Sequence, residues 1–141
     1  MNPEHAQIVA GFLLNGLKME FANTKKVLAC IPDQQHDYKP DDKSKTAMEL
    51  GWHIASVDVW FMKSIIAGVF GGDGIRMPAE IKTGADLAAW YETNTAAELP
   101  ALEALSGEDM AKIVPFYHMQ MPNVAYLSFL NNHMIHHRGQ L

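Results

Sequence analysis

The chain has 141 residues, 48% hydrophobic and 19% charged, with a formal net charge of -5; this describes an ordinary globular protein of one domain, spanning 1–141, rather than a disordered or fibrous chain. An acidic balance without a long basic run argues against sequence-independent nucleic-acid binding. A single cysteine, Cys30, rules out an intramolecular disulfide and a Cys-rich zinc or iron–sulfur site, and no stretch approaches the ~18 apolar residues that mark a membrane span.

The first predicted element is a helix over about 4–29. Ile8, Phe12 and Met19 form one apolar row at near-helical spacing, and Val9, Leu13 and Leu17 form another. Pro3 suits a first helical position and Pro32 closes the segment. Within it, Val27-Leu28-Ala29-Cys30 has the outline of a lipoprotein cleavage box. Lys18, Glu20, Lys25 and Lys26 interrupt the apolar run such a signal needs, so the expectation is a cytoplasmic protein with Cys30 as a small buried hydrophobe.

A polar loop over 33–45 carries Pro40 and no apolar periodicity. Thr46 and Glu49 then have the spacing of a capping box, in which a hydroxyl and a carboxylate satisfy each other's free backbone amides. Met48, Trp52, Ala55, Val59, Met62 and Ile66 recur every three or four residues and predict a second amphipathic helix, which the glycines at 68, 71, 72 and 74 break. A third helix starts after Thr83, with Asp86 as its box partner, and carries Leu87, Trp90 and Tyr91. Pro100 falls inside it and is expected to kink or end it, because proline deletes a backbone donor and clashes with the preceding turn. Ser106-Gly107-Glu108-Asp109 predicts a short capped turn. The last helix runs through Val124, Leu127, Leu130 and Met134 to the end of the chain. Nothing reads as a hairpin or an alternating strand. The fold class expected is all-α: a four-helix bundle with a long loop between helices 1 and 2 and a short extra helical turn before the last helix.

Three of the seven histidines fall within five positions of that last helix, at His133, His136 and His137. A four-residue step turns a side chain through about 400°, so His133 and His137 leave the helix on nearly one face, one turn apart. Two imidazoles so placed can hold a metal ion, and His53, near the edge of the apolar stripe of the second helix, is the candidate third ligand. From spacing alone the cluster has two readings: a metal site, or positive charge gathered at a helix C-terminus, which Arg138 also suits. His136, three residues from His133, is an alternative to His137. His5, His36 and His118 are expected to be exposed. A zincin is excluded because Met134, not glutamate, follows His133. A di-iron bundle is excluded because no Glu-x-x-His occurs, and the lack of a ligating carboxylate disfavours magnesium and calcium.

The stretch Glu49-Leu50-Gly51-Trp52-His53-Ile54-Ala55-Ser56-Val57-Asp58-Val59-Trp60, taken with Asn132-His133-Met134-Ile135-His136-His137-Arg138-Gly139-Gln140-Leu141, resembles the DinB-like, damage-inducible bacterial proteins. These are unrelated to the lesion-bypass polymerase that shares the name. The likeness extends to Ile31-Pro32 before a polar loop and to Ala104-Leu105-Ser106-Gly107-Glu108-Asp109 after the third helix. It implies a four-helix bundle, a divalent metal, nickel or zinc, on His53, His133 and His137, and a homodimer. It further implies thiol-dependent S-transferase chemistry with a low-molecular-weight thiol such as bacillithiol or mycothiol. The alternatives are a non-catalytic, stress-associated metal-binding dimer and a metal-dependent hydrolase. Three neutral imidazoles leave a metal its full charge, which favours a bound thiolate or an ionised water. Glu49 is the expected outer partner of His53, and Arg138 is expected to pair with a carboxylate of the bundle. The chain stops four residues after His137, where a fraying last turn is expected to hold that ligand less firmly.

Overall fold

The computed structural model describes residues 1–141. Its elements are α1 (Pro3–Ala29), α2 (Ala47–Ala67), α3 (Gly84–Glu103), the short α4 (Gly107–Ala111), the strands β1 (Ile113–Phe116) and β2 (Met119–Pro122), and α5 (Ala125–Gln140). Four long helices form the expected bundle, with α1 and α2 each packed against both α3 and α5. No helix is long and apolar enough to cross a membrane.

The helix starts are local chemistry. Asn2 Oδ1 accepts the Glu4 amide at 2.8 Å ahead of Pro3, whose missing donor costs nothing at that position. Thr46 with Glu49, Thr83 with Asp86 and Ser106 with Asp109 each form a complete capping box. Gly68, at φ 63°, closes α2 in the left-handed conformation that only glycine adopts freely. Pro100 does not end α3, which continues to Glu103; one missing amide bond is tolerated because Tyr91, Thr95 and Leu102 of the same helix are held in the core.

The buried face of α1 is Ala6, Ala10, Leu14, Leu17, Phe21, Thr24 and Leu28. Ile8, Phe12 and Met19 point outward at 72%, 79% and 69% exposure. Small alanines allow α1 close against the bundle; of the other expected row only Leu17 is buried, Leu13 being partly covered and Val9 exposed. Cys30, expected inside, is exposed at the end of α1, and His36, expected exposed, is half-buried with Nε2 3.5 Å from Asp33.

The hairpin is an element the sequence reading does not contain. β1 and β2 pair antiparallel from Ile113 with Pro122 to Phe116 with Met119, turning through Tyr117 at φ 51°. Its turn residues, Tyr117 and His118, lack the glycine or asparagine that normally signals such a turn, and Pro115 and Pro122 argue against strand on local grounds. The hairpin is held by tertiary contacts: Val114 is fully buried and Tyr126 donates its hydroxyl to Val114 O at 2.8 Å.

Candidate metal centre

His53 stands in the second turn of α2, and His133 and His137 on successive turns of the neighbouring α5. The structure brings all three together. His53 Nε2 lies 3.3 Å from His133 Nε2 and 3.3 Å from His137 Nε2, and one ligand atom of each ring lies within 4.8 Å of the others. Two nitrogens bound tetrahedrally to one ion at ~2.05 Å are separated by about 3.3 Å, the spacing of the two pairs that His53 makes. His136 is exposed, its ring 4.9 Å from that of His137, and it is not one of the three rings that converge.

The far side of two rings explains their orientation. His133 Nδ1 faces Asp58 Oδ1 at 3.1 Å, and His137 Nδ1 faces Gln140 Oε1 at 2.6 Å. Each oxygen accepts an N–H from Nδ1, which leaves the Nε2 lone pair facing the centre. Asp58 is completely buried, and its other oxygen accepts the Tyr91 hydroxyl at 2.9 Å. Burial pushes the Asp58 carboxyl up from its ordinary range, while the bonds from His133 and Tyr91 oppose that rise. Burial and the adjacent Asp58 likewise raise Tyr91 well above its ordinary value, so it remains a phenol and a donor.

Burial, then the neighbouring His137 and His133 rings and the Lys45 charge, lower His53 to about 4. His137 is also lowered, chiefly by burial, against the opposing bond to Gln140. These two rings are therefore free bases at neutral pH, the form that binds a metal. Phe61 stacks on Phe129 at 5.6 Å and lies 6.2 Å from the His133 ring, giving that ring an apolar flank. Beside His53 a cavity of about 390 Å³ reaches Trp52, Ser56 and the loop lysines Lys43 and Lys45.

Glu49 is not the partner of His53. Its Oε2 accepts the Thr46 amide at 2.8 Å, so the carboxylate belongs to the helix cap. The outer carboxylate is Asp58, on His133. A readable signal existed: Asp58 falls four residues after Ile54 and four before Met62, on a fully buried row where an acid requires a partner. Arg138 pairs with Glu20 at 2.5 Å and donates to Thr24 Oγ1 at 3.1 Å, the expected role within the bundle.

A model of the DinB superfamily matches residues 17–141. A DinB-like protein from Bacillus cereus is 26% identical with a TM-score of 0.75, the match covering 91% of this chain and 85% of that one. A DinB-like protein from Bacillus subtilis is 23% identical, also with a TM-score of 0.75 and the same coverage. No curated protein matches the chain.

Proposed function

We propose a metal-dependent function for this chain, which belongs to the DinB superfamily: His53, His133 and His137 hold one divalent transition-metal ion, nickel or zinc, for thiol-dependent S-transfer. The observation that carries this is the convergence of three imidazoles, with His53 Nε2 3.3 Å from Nε2 of each of the other two and Asp58 and Gln140 each engaging an outer Nδ1. A divalent ion bound there supplies a Lewis acid that favours the deprotonated, nucleophilic form of a thiol or water. The chain's own residues do the rest. Asp58 and Tyr91 keep the His133 ring from turning, Gln140 does the same for His137, and Phe61 with Phe129 keeps one flank of His133 apolar.

Elemental analysis of protein purified without an affinity tag tests the metal, with about one equivalent expected; no stoichiometric metal overturns the proposal. Conjugation of chlorodinitrobenzene is then assayed with bacillithiol, mycothiol and glutathione. Loss of conjugation in His53→Ala supports catalysis at the site, whereas wild-type rates in that variant make it non-catalytic. Turnover of ester substrates with every thiol omitted would favour hydrolysis instead.

The assembly included in this reading is a homodimer. The outward row of α1 supports it, since Ile8, Phe12 and Met19 lie beside Gly11 and Gly16, around which there is open space.

A further inference from the structure

The cavity beside His53 has a charge asymmetry that the metal site does not require. One wall is Lys43, Ser44 and Lys45, from the loop that leads into α2; the other is Glu49, Trp52 and His53, from the first two turns of that helix. The loop backbone is pinned. Asp41 Oδ1 accepts the amides of Lys43 and Ser44 at 2.8 and 3.0 Å, and Asp41 Oδ2 accepts the Ser44 hydroxyl at 2.8 Å. Its two cationic side chains are uncommitted, for the ion-paired lysines of the molecule are Lys18, Lys25 and Lys63. Glu49, the one acid of the cavity, is spent on the Thr46 amide. The cavity therefore offers two free ammonium groups against one hydrogen-bonded carboxylate.

Lys45 and His53 line the same cavity. The remaining surface is apolar: Trp52, braced against Trp90 with ring centroids 4.7 Å apart, and Met77. A molecule lying on that surface has one end at His53 and the other among the lysines. Ser56 adds no competing donor, because its hydroxyl donates to Trp52 O at 2.7 Å.

We infer that this cavity selects small carboxylate-bearing ligands, Lys45 and Lys43 holding the carboxylate while the ligand's other end meets the His53 side of the triad. This rests on the metal-dependent reading above and names the class of molecule that the site accepts. Lys45 is a specificity-determining residue in this scheme, and takes no part in holding the metal.

The test uses full-length protein loaded with cobalt(II), whose visible absorption reports its coordination. Cobalt uptake alone, read before any ligand is added, tests the metal reading; absence of bound cobalt overturns that reading and this inference together. The loaded protein is then titrated with mercaptosuccinate, a dicarboxylate thiol, and with neutral 2-mercaptoethanol. In wild type the first binds at least about tenfold more tightly, a preference that added salt reduces, as expected for exposed charges. In the Lys43→Gln/Lys45→Gln double variant that preference falls by about tenfold, while cobalt uptake and 2-mercaptoethanol binding stay as in wild type. Equal affinities in wild type, or a preference that survives in the double variant, overturn the inference and leave the metal reading standing.

Discussion

Asp58→Asn removes the charge behind His133 while keeping the side chain's size. In the metal-free protein the change is mild. The new amide oxygen still accepts from His133 Nδ1, its NH2 group meets a Tyr91 hydroxyl that can turn to accept, and a carboxylate that burial disfavours is gone; a cost of about 1 kcal/mol is expected. Metal binding is affected more. Loss of the outer carboxylate of a ligating histidine weakens affinity by about 10–100-fold. Metal at about 100 times the wild-type Kd stabilises the fold by ~2.7 kcal/mol, and a 10–100-fold weaker site reduces this to between ~1.4 and ~0.4 kcal/mol. With 141 residues and an unfolding entropy of ~2.1 cal/mol/K per residue, 1 kcal/mol corresponds to about 3.4 °C. Zinc should therefore raise the wild-type Tm by about 9 °C and that of Asp58→Asn by about 1–5 °C. Thermal melts of each protein, with and without zinc at one fixed concentration, make the metal-free form its own reference. A full wild-type shift in folded Asp58→Asn would refute the claim that Asp58 orients a ligand.

Metal-free wild type should lose stability relative to His53→Gln as pH falls from 6.5 towards about 4. The unfolded ring binds its proton near 6.5 and the folded ring near 4, so the unfolded state takes up more protons within that window; urea midpoints that keep a constant difference across the window contradict the depressed value. Gly84→Ala should cost ~1–3 kcal/mol by overpacking, because a Cβ there would lie 2.6 Å from Leu28 O and 2.9 Å from Ile31 O. Gly16→Ala, with nothing within 4 Å, should instead gain ~0.5–1 kcal/mol in the helix interior, and equal urea midpoints for the two variants would show that α3 does not approach α1 this closely. Phe12→Glu should convert the proposed dimer to monomer without lowering metal content, as measured by light scattering coupled to size exclusion; a dimer that persists removes the outer face of α1 from the interface.

What could be read from the sequence was what is local or periodic. The three capping boxes depend on residues three apart, so Thr46, Thr83 and Ser106 mark their helices wherever those helices pack. His133 and His137 are one turn apart on any helix, and the periodicity of α2 puts His53 near its inner edge. Which face of α1 is inner was not legible, because its two apolar rows satisfy helical spacing, whereas the buried face of Ala6, Ala10, Leu14, Leu17, Phe21 and Leu28 shares only Leu17 with them. The pairing of Asp58 with His133 spans 75 positions, and that of Tyr91 with Asp58 spans 33. No spacing rule reaches so far, whereas Glu49 offered itself to His53 at a plausible helical step. The hairpin was hidden similarly: its stability comes from Val114 and Tyr126 and not from its turn.

The end of α5 bears on how firmly the centre is held. A terminal turn frays when its carbonyls lack partners and its side chains lack contacts. Around His137 such partners and contacts are present. Leu141 donates its amide to His137 O at 3.1 Å and packs its side chain against the core, in a small cavity lined also by Val27 and Ile31. Arg138 ties the same turn to α1 through Glu20 and Thr24. The Arg138 and Glu20 side chains are only 19% and 25% exposed, so this pair is less screened than a surface salt bridge. Gln140 then accepts from the His137 ring itself. The two candidate ligands of α5 are thus restrained by different means, His133 by a buried network within the bundle and His137 by contacts that close its last turn. Orientation of His137 consequently depends on Arg138, Gln140 and Leu141 together, three residues outside the triad that follow it in sequence.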